Sequence, residues 1–145
     1  MTTLDPAIQH VFDTYSSSVY AKDEAAFLAL YDADVHVFDM WGQWEYRGLE
    51  AWRGMVSNWF GGVGEVRVVA EFAQIEVSVH GDFALAHAIL TFKGVGPDGT
   101  ELRQMNNRMT LALQRKDAVW KIIHEHTSAP ADFETGKLIL NRQVG

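Results

Sequence analysis

One acid in the chain stands among large apolar side chains, and that setting suits it for proton transfer. Asp39 follows Val37 and Phe38 and precedes Met40 and Trp41. A carboxylate in such surroundings is partly desolvated, which raises its pKa and makes it a better proton acceptor near neutral pH. The alternative is a turn residue whose oxygens accept from local backbone N–H groups.

Tyr15 is the second candidate because it lies on an apolar stripe of helical spacing, together with Ile8, Val11, Phe12 and Val19. A buried phenol needs a hydrogen-bond partner. A substrate oxygen that develops negative charge is one such partner, and Tyr15 would then stabilise that charge. A hydrogen bond to a neighbouring core residue is the alternative.

The segment Trp120–Ser128 predicts the last long strand, and it carries two histidines. Side chains alternate between the faces of a strand, so one face takes Trp120, Ile122, His124, His126 and Ser128, and the other takes Lys121, Ile123, Glu125 and Thr127. The side chains of the first face change from apolar at Trp120 to polar at Ser128, which is typical of a pocket wall. We therefore expect a catalytic role for His126 and ligand contacts for His124, Trp120 and Ser128, unless the histidines are satisfied core residues. Two imidazoles are too few for a zinc site, so we expect no metal and no other cofactor.

Arg108 lies on the preceding long strand, and its face depends on the strand register. If Gln114 pairs with Trp120, Arg108 lies opposite His126 and faces the pocket, where a guanidinium binds a carboxylate or an enolate-like anion. A register that differs by one residue turns Arg108 toward solvent. Both registers stay open at this stage.

Four tryptophans fall between residues 41 and 59. Trp52 and Trp59 fit the core face of a predicted third helix, and Trp59 is also a candidate ligand contact. Trp41 and Trp44 lie in a turn, where they are candidates for an aromatic pocket mouth. Ordinary core or dimer packing is the alternative for these indoles.

The elements that must position these residues are helices first and long strands afterwards. Helix signals begin at Asp5, Asp23 and Gly48, and a short strand is predicted at Val35–Asp39. Long strands joined by short turns follow and form an antiparallel meander: 66–79, 84–95, 100–115 and 119–128. The order predicts an α+β fold, in which three N-terminal helices pack on one face of a single antiparallel sheet. A length of 145 residues fits a single domain with a core at 5–130 and a tail at 131–145, in which 137–141 is a short strand or helix.

Composition narrows the classes of partner. A net charge of −7, from 12 basic and 19 acidic residues, disfavours nucleic acid and anionic membrane surfaces. The absence of cysteine excludes disulfides and thiolate chemistry. The chain shows neither a signal-peptide pattern nor an apolar run long enough to span a membrane. We therefore expect a cytoplasmic protein.

Several segments resemble the nuclear transport factor 2-like, or ketosteroid-isomerase-like, superfamily, which includes SnoaL-like polyketide cyclases, scytalone dehydratase and the association domain of calmodulin-dependent protein kinase II. The resemblance covers roughly residues 5–130. It rests on the helix order, on 28–35 (LALYDADV), on 48–52 (GLEAW) and on 115–130 (RKDAVWKIIHEHTSAP). The last segment is similar to the closing strand of the kinase association domain, with its Trp and its His-x-His-x-Ser run.

The resemblance implies a cone-shaped, cystatin-like fold, in which a curved antiparallel sheet wraps three N-terminal helices and leaves a ligand pocket between them. The isomerases use a Tyr of the first helix as oxyanion donor and an Asp that closes the first strand as base, which implies those roles for Tyr15 and Asp39. The isomerases also carry an acid on a late strand, whereas 108–113 (RMTLAL) offers none. His124, His126 and Arg108 are the candidates to replace it.

Two functions are therefore expected. The first is a cofactor-independent isomerase, cyclase or dehydratase, in which Asp39 removes a proton next to a carbonyl of a small, mostly apolar ligand that carries a carbonyl or carboxylate. The second is a non-catalytic ligand-binding or oligomerisation module. Under either reading we expect a homodimer through the outer face of the sheet, with Ile123 and Thr127 in the interface.

Overall fold

The computed structural model describes residues 4–142 and confirms the α+β class predicted from the sequence. The described part forms three helices and six strands in this order: α1 (Pro6–Ala21), α2 (Glu24–Leu28), β1 (Tyr31–Phe38), β2 (Tyr46–Arg47), α3 (Leu49–Gly62), β3 (Arg67–His80), β4 (Phe83–Val95), β5 (Glu101–Lys116) and β6 (Val119–Ser128). The four long strands begin and end within two residues of their predicted positions. β1 begins at Tyr31 rather than at Val35, so Tyr31 belongs to the sheet and not to the second helix.

The helices start where the sequence signals predict. Asp5 caps α1 by accepting from the Ala7 amide at 2.8 Å, and Pro6 occupies the first turn. Lys22 ends the helix in the left-handed region at φ 58°. The apolar stripe of α1, including Tyr15, is buried against the inner face of the sheet.

The six strands form one mixed sheet with the order β2-β1-β6-β5-β4-β3. Strands β3 to β6 make the predicted antiparallel meander. However, β1 runs parallel to β6, so the sheet is not antiparallel throughout. The reason is topological: the chain leaves β1 through β2 and α3 and crosses the whole meander before β6 returns beside β1.

The β5–β6 hairpin settles the register that the sequence left open. Asp117 and Ala118 have φ of 51° and 65°, the left-handed geometry of a two-residue hairpin turn. Arg115 consequently pairs with Trp120, and beyond a register shift between Leu113 and Ala112 Arg108 pairs with Ser128. Arg108 is exposed, and its Nε donates to the Ser128 hydroxyl at 3.1 Å. The pocket-facing alternative for Arg108 is therefore wrong.

The core lies between the three helices and the inner face of the sheet. The tail folds back along β5: the Asn106 amide donates to the Leu140 carbonyl at 2.7 Å, and Ala131 forms an isolated bridge with Leu138. Residues 137–141 thus run extended against the sheet without becoming a strand or helix. In the described range, no helix has the length and apolar character that crossing a membrane requires.

Candidate functional site

A cavity of about 1150 Å³ opens between the inner face of the sheet, α1, α3 and the loop after β1. Its walls are mostly apolar, and Trp41, Tyr46, Trp52, Trp59 and Phe92 are among the lining residues. Its polar groups are few, and they include Tyr15, Asp39, Asn107, Glu125 and Thr127. An apolar chamber with a few convergent polar groups is typical of a small-molecule site.

A β-bulge in β6 decides which side chains of that strand reach the cavity. Ile122 pairs with Leu113 and His124 pairs with Ala112, so Ile123 is an extra residue without a partner of its own. The pairing of β6 with β1 is also irregular here, between Tyr31 and His36 on β1. Beyond the bulge the alternation is inverted, because one inserted residue exchanges the two faces.

The inversion corrects the predicted faces of the last strand. Glu125 and Thr127 point inward and are buried. The outer face beyond the bulge takes His124, His126 and Ser128. There the ring of Phe38 lies 5.1 Å and 5.4 Å from the two imidazoles, and His124 Nδ1 donates to the His36 carbonyl at 2.6 Å. The structure therefore contradicts the expectation that these three side chains line the pocket, and also the placement of Thr127 on the outer face.

Glu125 is the most unusual titratable group of the site. Its side chain is almost sealed from solvent at 1% exposure, and the Tyr31 hydroxyl donates to Oε1 at 2.6 Å. Burial raises its pKa from 4.5 to about 8; the Tyr31 hydrogen bond opposes this shift, and the negative charge of Asp39 adds to it. Glu125 is therefore a neutral carboxylic acid at pH 7, able to donate a hydrogen bond.

Asp39 follows β1 and lines the same cavity. Its Oδ1 accepts from the Thr127 hydroxyl at 3.3 Å, and its Oδ2 accepts from the Trp41 amide at 3.3 Å. Burial raises the pKa of Asp39 above its usual range, and these two hydrogen bonds limit the rise. The two readings of the sequence thus both apply, since Asp39 caps the following turn and is also desolvated.

Tyr15 presents a neutral phenol to the cavity. Its ring packs edge-on against Phe27 and Phe72, with centroids 5.0 Å and 5.3 Å away. Burial raises the pKa of Tyr15 well above 10, and the negative charges of Glu125 and Asp39 raise it further. Within residues 4–142 no protein group hydrogen-bonds to the Tyr15 hydroxyl, so the hydroxyl is available to a ligand.

Asn107 is a further polar group of the lining that is turned away from solvent, with 5% exposure. Its Oδ1 is buried without a hydrogen-bond partner in the described part of the chain. An orphaned buried amide atom costs about 1–3 kcal/mol. A ligand or a trapped water that bonds to this amide would recover that cost.

Some of the tryptophans and other predicted site residues line the cavity, and the rest lie elsewhere in the fold. Trp41 and Trp59 line the cavity as expected. Trp44 is 95% exposed at the loop tip and contributes nothing to the lining. Trp120 is a core residue under the Arg115 guanidinium, 5.1 Å from the ring centroid. Thus Tyr15, Asp39, Trp41 and Trp59 come together, and the others do not.

The residues that the sequence reasoning missed are Glu125, Thr127, Asn107, Tyr46 and Arg103, which all line the cavity. Ile122-Ile123 is the one signal that pointed to the first two, because two successive apolar residues break strict alternation. Across the described residues, no cluster of three or more His, Cys, Asp or Glu side chains is placed to hold a metal ion.

Comparison with known proteins supports the resemblance seen in the sequence. A sequence model of the SnoaL-like domain matches residues 8–132. An NTF2-like protein of unknown function from Pseudomonas putida is similar, with 28% identity, a TM-score of 0.82 and coverage of 94% of each chain. No curated protein matches.

Two more distant solved structures share the fold. One is a putative calcium/calmodulin-dependent protein kinase II association domain from Xanthomonas campestris, with 18% identity, a TM-score of 0.72, and coverage of 88% of this chain and 93% of that one. The other is an uncharacterised protein with a cystatin-like fold from Caulobacter vibrioides, with 23% identity, a TM-score of 0.66, and coverage of 84% and 86%. The expected superfamily and fold are confirmed.

Proposed function

This chain belongs to the SnoaL-like domain family, and from that premise we propose that it binds a flat, mostly apolar carbonyl compound and moves a proton at the carbon next to the carbonyl. The proposal depends on one observation above all. A neutral phenol and a neutral carboxylic acid face the same chamber as a carboxylate whose pKa is raised. Two carboxyl groups with separated pKa values are the usual basis of paired acid and base roles.

In the proposed step, Asp39 removes a proton from the carbon next to the carbonyl. The electron pair of the broken C–H bond moves onto the carbonyl oxygen and forms an enolate. Tyr15 and Glu125 donate hydrogen bonds to that oxygen, and Asp39 then returns its proton to the same or to another carbon. Return to another carbon is isomerisation. Expulsion of a neighbouring hydroxyl group by the enolate is dehydration, because that hydroxyl takes the proton from Asp39 and leaves as water.

The neutral state of Glu125 matters for this step. An ionised carboxylate beside the developing oxyanion would repel it, whereas a protonated one stabilises it. Tyr31 fixes the orientation of Glu125 by donating to Oε1, which leaves the proton of the acid on the other oxygen. The negative charge of Asp39 beside these donors favours a neutral carbonyl oxygen over a carboxylate at the deep end of the chamber.

Deuterium exchange into β-tetralone, a two-ring ketone, tests the proposal. Exchange of its acidic protons in D₂O is followed by NMR, with buffer alone as the background. We expect Asp39→Asn to lower the protein-dependent rate about 10²-fold or more, and Tyr15→Phe to lower it by a similar factor. Ser17→Lys, an exposed change on α1, is the control.

If exchange stays at the buffer rate while β-tetralone raises the thermal stability of the protein, the chain is a binding module without this chemistry. If Asp39→Asn leaves a rapid exchange untouched, Asp39 is not the base.

We also propose that a second copy of this chain covers the outer face of the sheet. Phe83 and Leu85 on β4 stand there at 43% and 44% exposure, beside the cluster of Phe38 with His124 and His126. A broad sheet face that carries exposed large apolar residues favours burial in a symmetric contact. The relative from Xanthomonas campestris, named as an association domain, supports the same reading.

Sedimentation velocity tests the dimer. The wild type is expected to sediment as a dimer at micromolar concentration, and Leu85→Lys is expected to sediment as a monomer that still binds β-tetralone. Ser17→Lys introduces the same charge away from that face and should leave the dimer intact. A wild-type monomer would refute the dimer without touching the proposed chemistry.

A further inference from the structure

The cavity has a cationic end as well as an acidic one. Arg103 on β5 is the one lysine or arginine among residues 4–142 that lines it. Side chains on one face of a strand recur every second residue, so Arg103 and Asn107 share the inner face of β5, about 13 Å apart along the strand. Glu125 lies further along, opposite Leu111. The two ends of the chamber therefore carry opposite chemistry.

A glycine lets Arg103 lie across the neighbouring strand. Gly94 on β4 pairs directly with Arg103 and also lines the cavity. A Cβ at Gly94 would lie 3.6 Å from Arg103 Cγ, 3.9 Å from Arg103 Nε and 3.5 Å from Val66 Cγ1. The stem of Arg103 thus packs over the bare backbone of Gly94, which directs the guanidinium across the cavity wall.

Arg103 also differs from other arginines in its partners. Arg47, Arg53 and Arg115 each pair with a carboxylate at 2.7 Å, 3.3 Å and 2.9 Å. In the range 4–142 no hydrogen bond or ion pair to protein is found for Arg103. A guanidinium held at a cavity wall without a protein anion is suited to a planar anion, which it binds in a bidentate manner.

We propose that the ligand is an elongated carboxylic acid, whose carboxylate binds Arg103 at the cavity mouth while its neutral oxygen binds at the Tyr15–Glu125 end. This inference rests on the proposed function for the position of that oxygen. It excludes the reverse orientation, because the negative charge of Asp39 would repel a carboxylate at the deep end. The aromatic walls between the two ends hold the apolar body of the ligand.

Binding of a matched pair of probes tests the inference. The acid probe is 4′-hydroxybiphenyl-4-carboxylate, and the neutral probe is its methyl ester, which has the same rings and the same phenol. Affinities are measured by calorimetry on the full chain at low salt and at high salt. Arg103→Met removes the charge and keeps most of the stem. Arg108→Met removes a charge from the same strand on the opposite face and is the control.

We expect the wild type to bind the acid about tenfold more tightly than the ester, the scale of one charge-assisted contact at an exposed arginine. Arg103→Met should lose that preference and keep its affinity for the ester, whereas Arg108→Met should match the wild type. High salt should weaken binding of the acid only.

Equal wild-type affinities for the two probes would overturn the inference, and so would an Arg103→Met variant that loses affinity for both. Tyr15→Phe separates this failure from failure of the proposed function, because it removes a contact to the phenol end that both probes share. If Tyr15→Phe binds both probes as the wild type does, the oxygen site of the proposed function is wrong, whatever the result for Arg103.

Discussion

Replacing Glu125 by glutamine should change how the stability of the protein depends on pH. Burial holds the pKa of Glu125 near 8 in the folded protein, against 4.5 for an ordinary glutamate. Between these values the folded state keeps a proton that the unfolded state has released. A rise in pH through this window therefore favours unfolding, so the contribution of Glu125 to stability is complete below pH 4.5 and is lost as the pH rises to about 8.

The size of the effect follows from the gap between the two pKa values. Each pH unit inside the window changes the free energy of unfolding by about 1.4 kcal/mol, and the full gap amounts to roughly 5 kcal/mol. Glutamine is neutral at every pH and its side-chain oxygen still accepts from Tyr31, so Glu125→Gln carries no such dependence. The variant should match the wild type near pH 4.5 and become progressively more stable than it up to pH 8.

Urea denaturation followed by tryptophan fluorescence, at intervals from pH 4.5 to pH 9, gives both curves. Other titrating groups are shared by the two proteins and cancel in the difference. Glu134→Gln alters an exposed acid of the tail and should follow the wild type throughout. A difference between Glu125→Gln and the wild type that stays constant from pH 5 to pH 8 would refute the reasoning, because Glu125 would then be ionised in the folded state.

Further outcomes follow from the same geometry. The kcat/KM for deuterium exchange into β-tetralone should rise with pH as Asp39 ionises, and burial places this rise above the usual pKa range of an aspartate. It should fall again as Glu125 loses its proton near pH 8. The Glu125→Gln variant should lack this fall at alkaline pH. Tyr31→Phe should cost about 1–3 kcal/mol in urea denaturation and move the alkaline limb to higher pH, because Oε1 of Glu125 loses its donor. Asn107→Leu should be neutral or stabilising in the same assay, since it removes an orphaned amide, and a loss of more than about 2 kcal/mol would reveal an unrecognised partner. Trp44→Ala should leave the affinity for β-tetralone within twofold of the wild type, because that indole lies outside the cavity, and calorimetry checks this.

The helices and strands could be predicted from the sequence because short-range patterns of residues encode them. The stripe that contains Tyr15 has helical spacing, and its burial follows once a sheet is available to cover it. Asp39 comes at the end of a short apolar strand and keeps that position in the structure. Both residues could therefore be chosen without knowing the tertiary contacts.

The inward face of β6 was not accessible in the same way. Its inversion depends on Ile123, whose lack of a partner is a property of the pairing between β6 and β5 and not of Trp120–Ser128 alone. The side of Arg108 likewise depended on a hairpin whose turn falls at Asp117 and Ala118. Where a bulge interrupts the alternation, the face that a side chain takes depends on tertiary pairing. Here one bulge turns Glu125 toward the cavity and His124 and His126 away from it.

That exchange changes the chemistry that the site supports. With histidines inward, the chamber would hold imidazoles, which can donate and accept hydrogen bonds. With Glu125 inward, it holds an acid that burial keeps neutral at a cost in stability, although glutamine would meet the same Tyr31 hydrogen bond without that cost. Core packing therefore gives no reason for an acid at this position. A strong hydrogen bond to a developing oxyanion does, because a carboxylic acid donates to an enolate more effectively than an amide of the same shape. The proposed oxyanion site therefore gives a reason for an acid at this position, and in that proposal the protonation state of Glu125 decides whether the chamber stabilises the enolate.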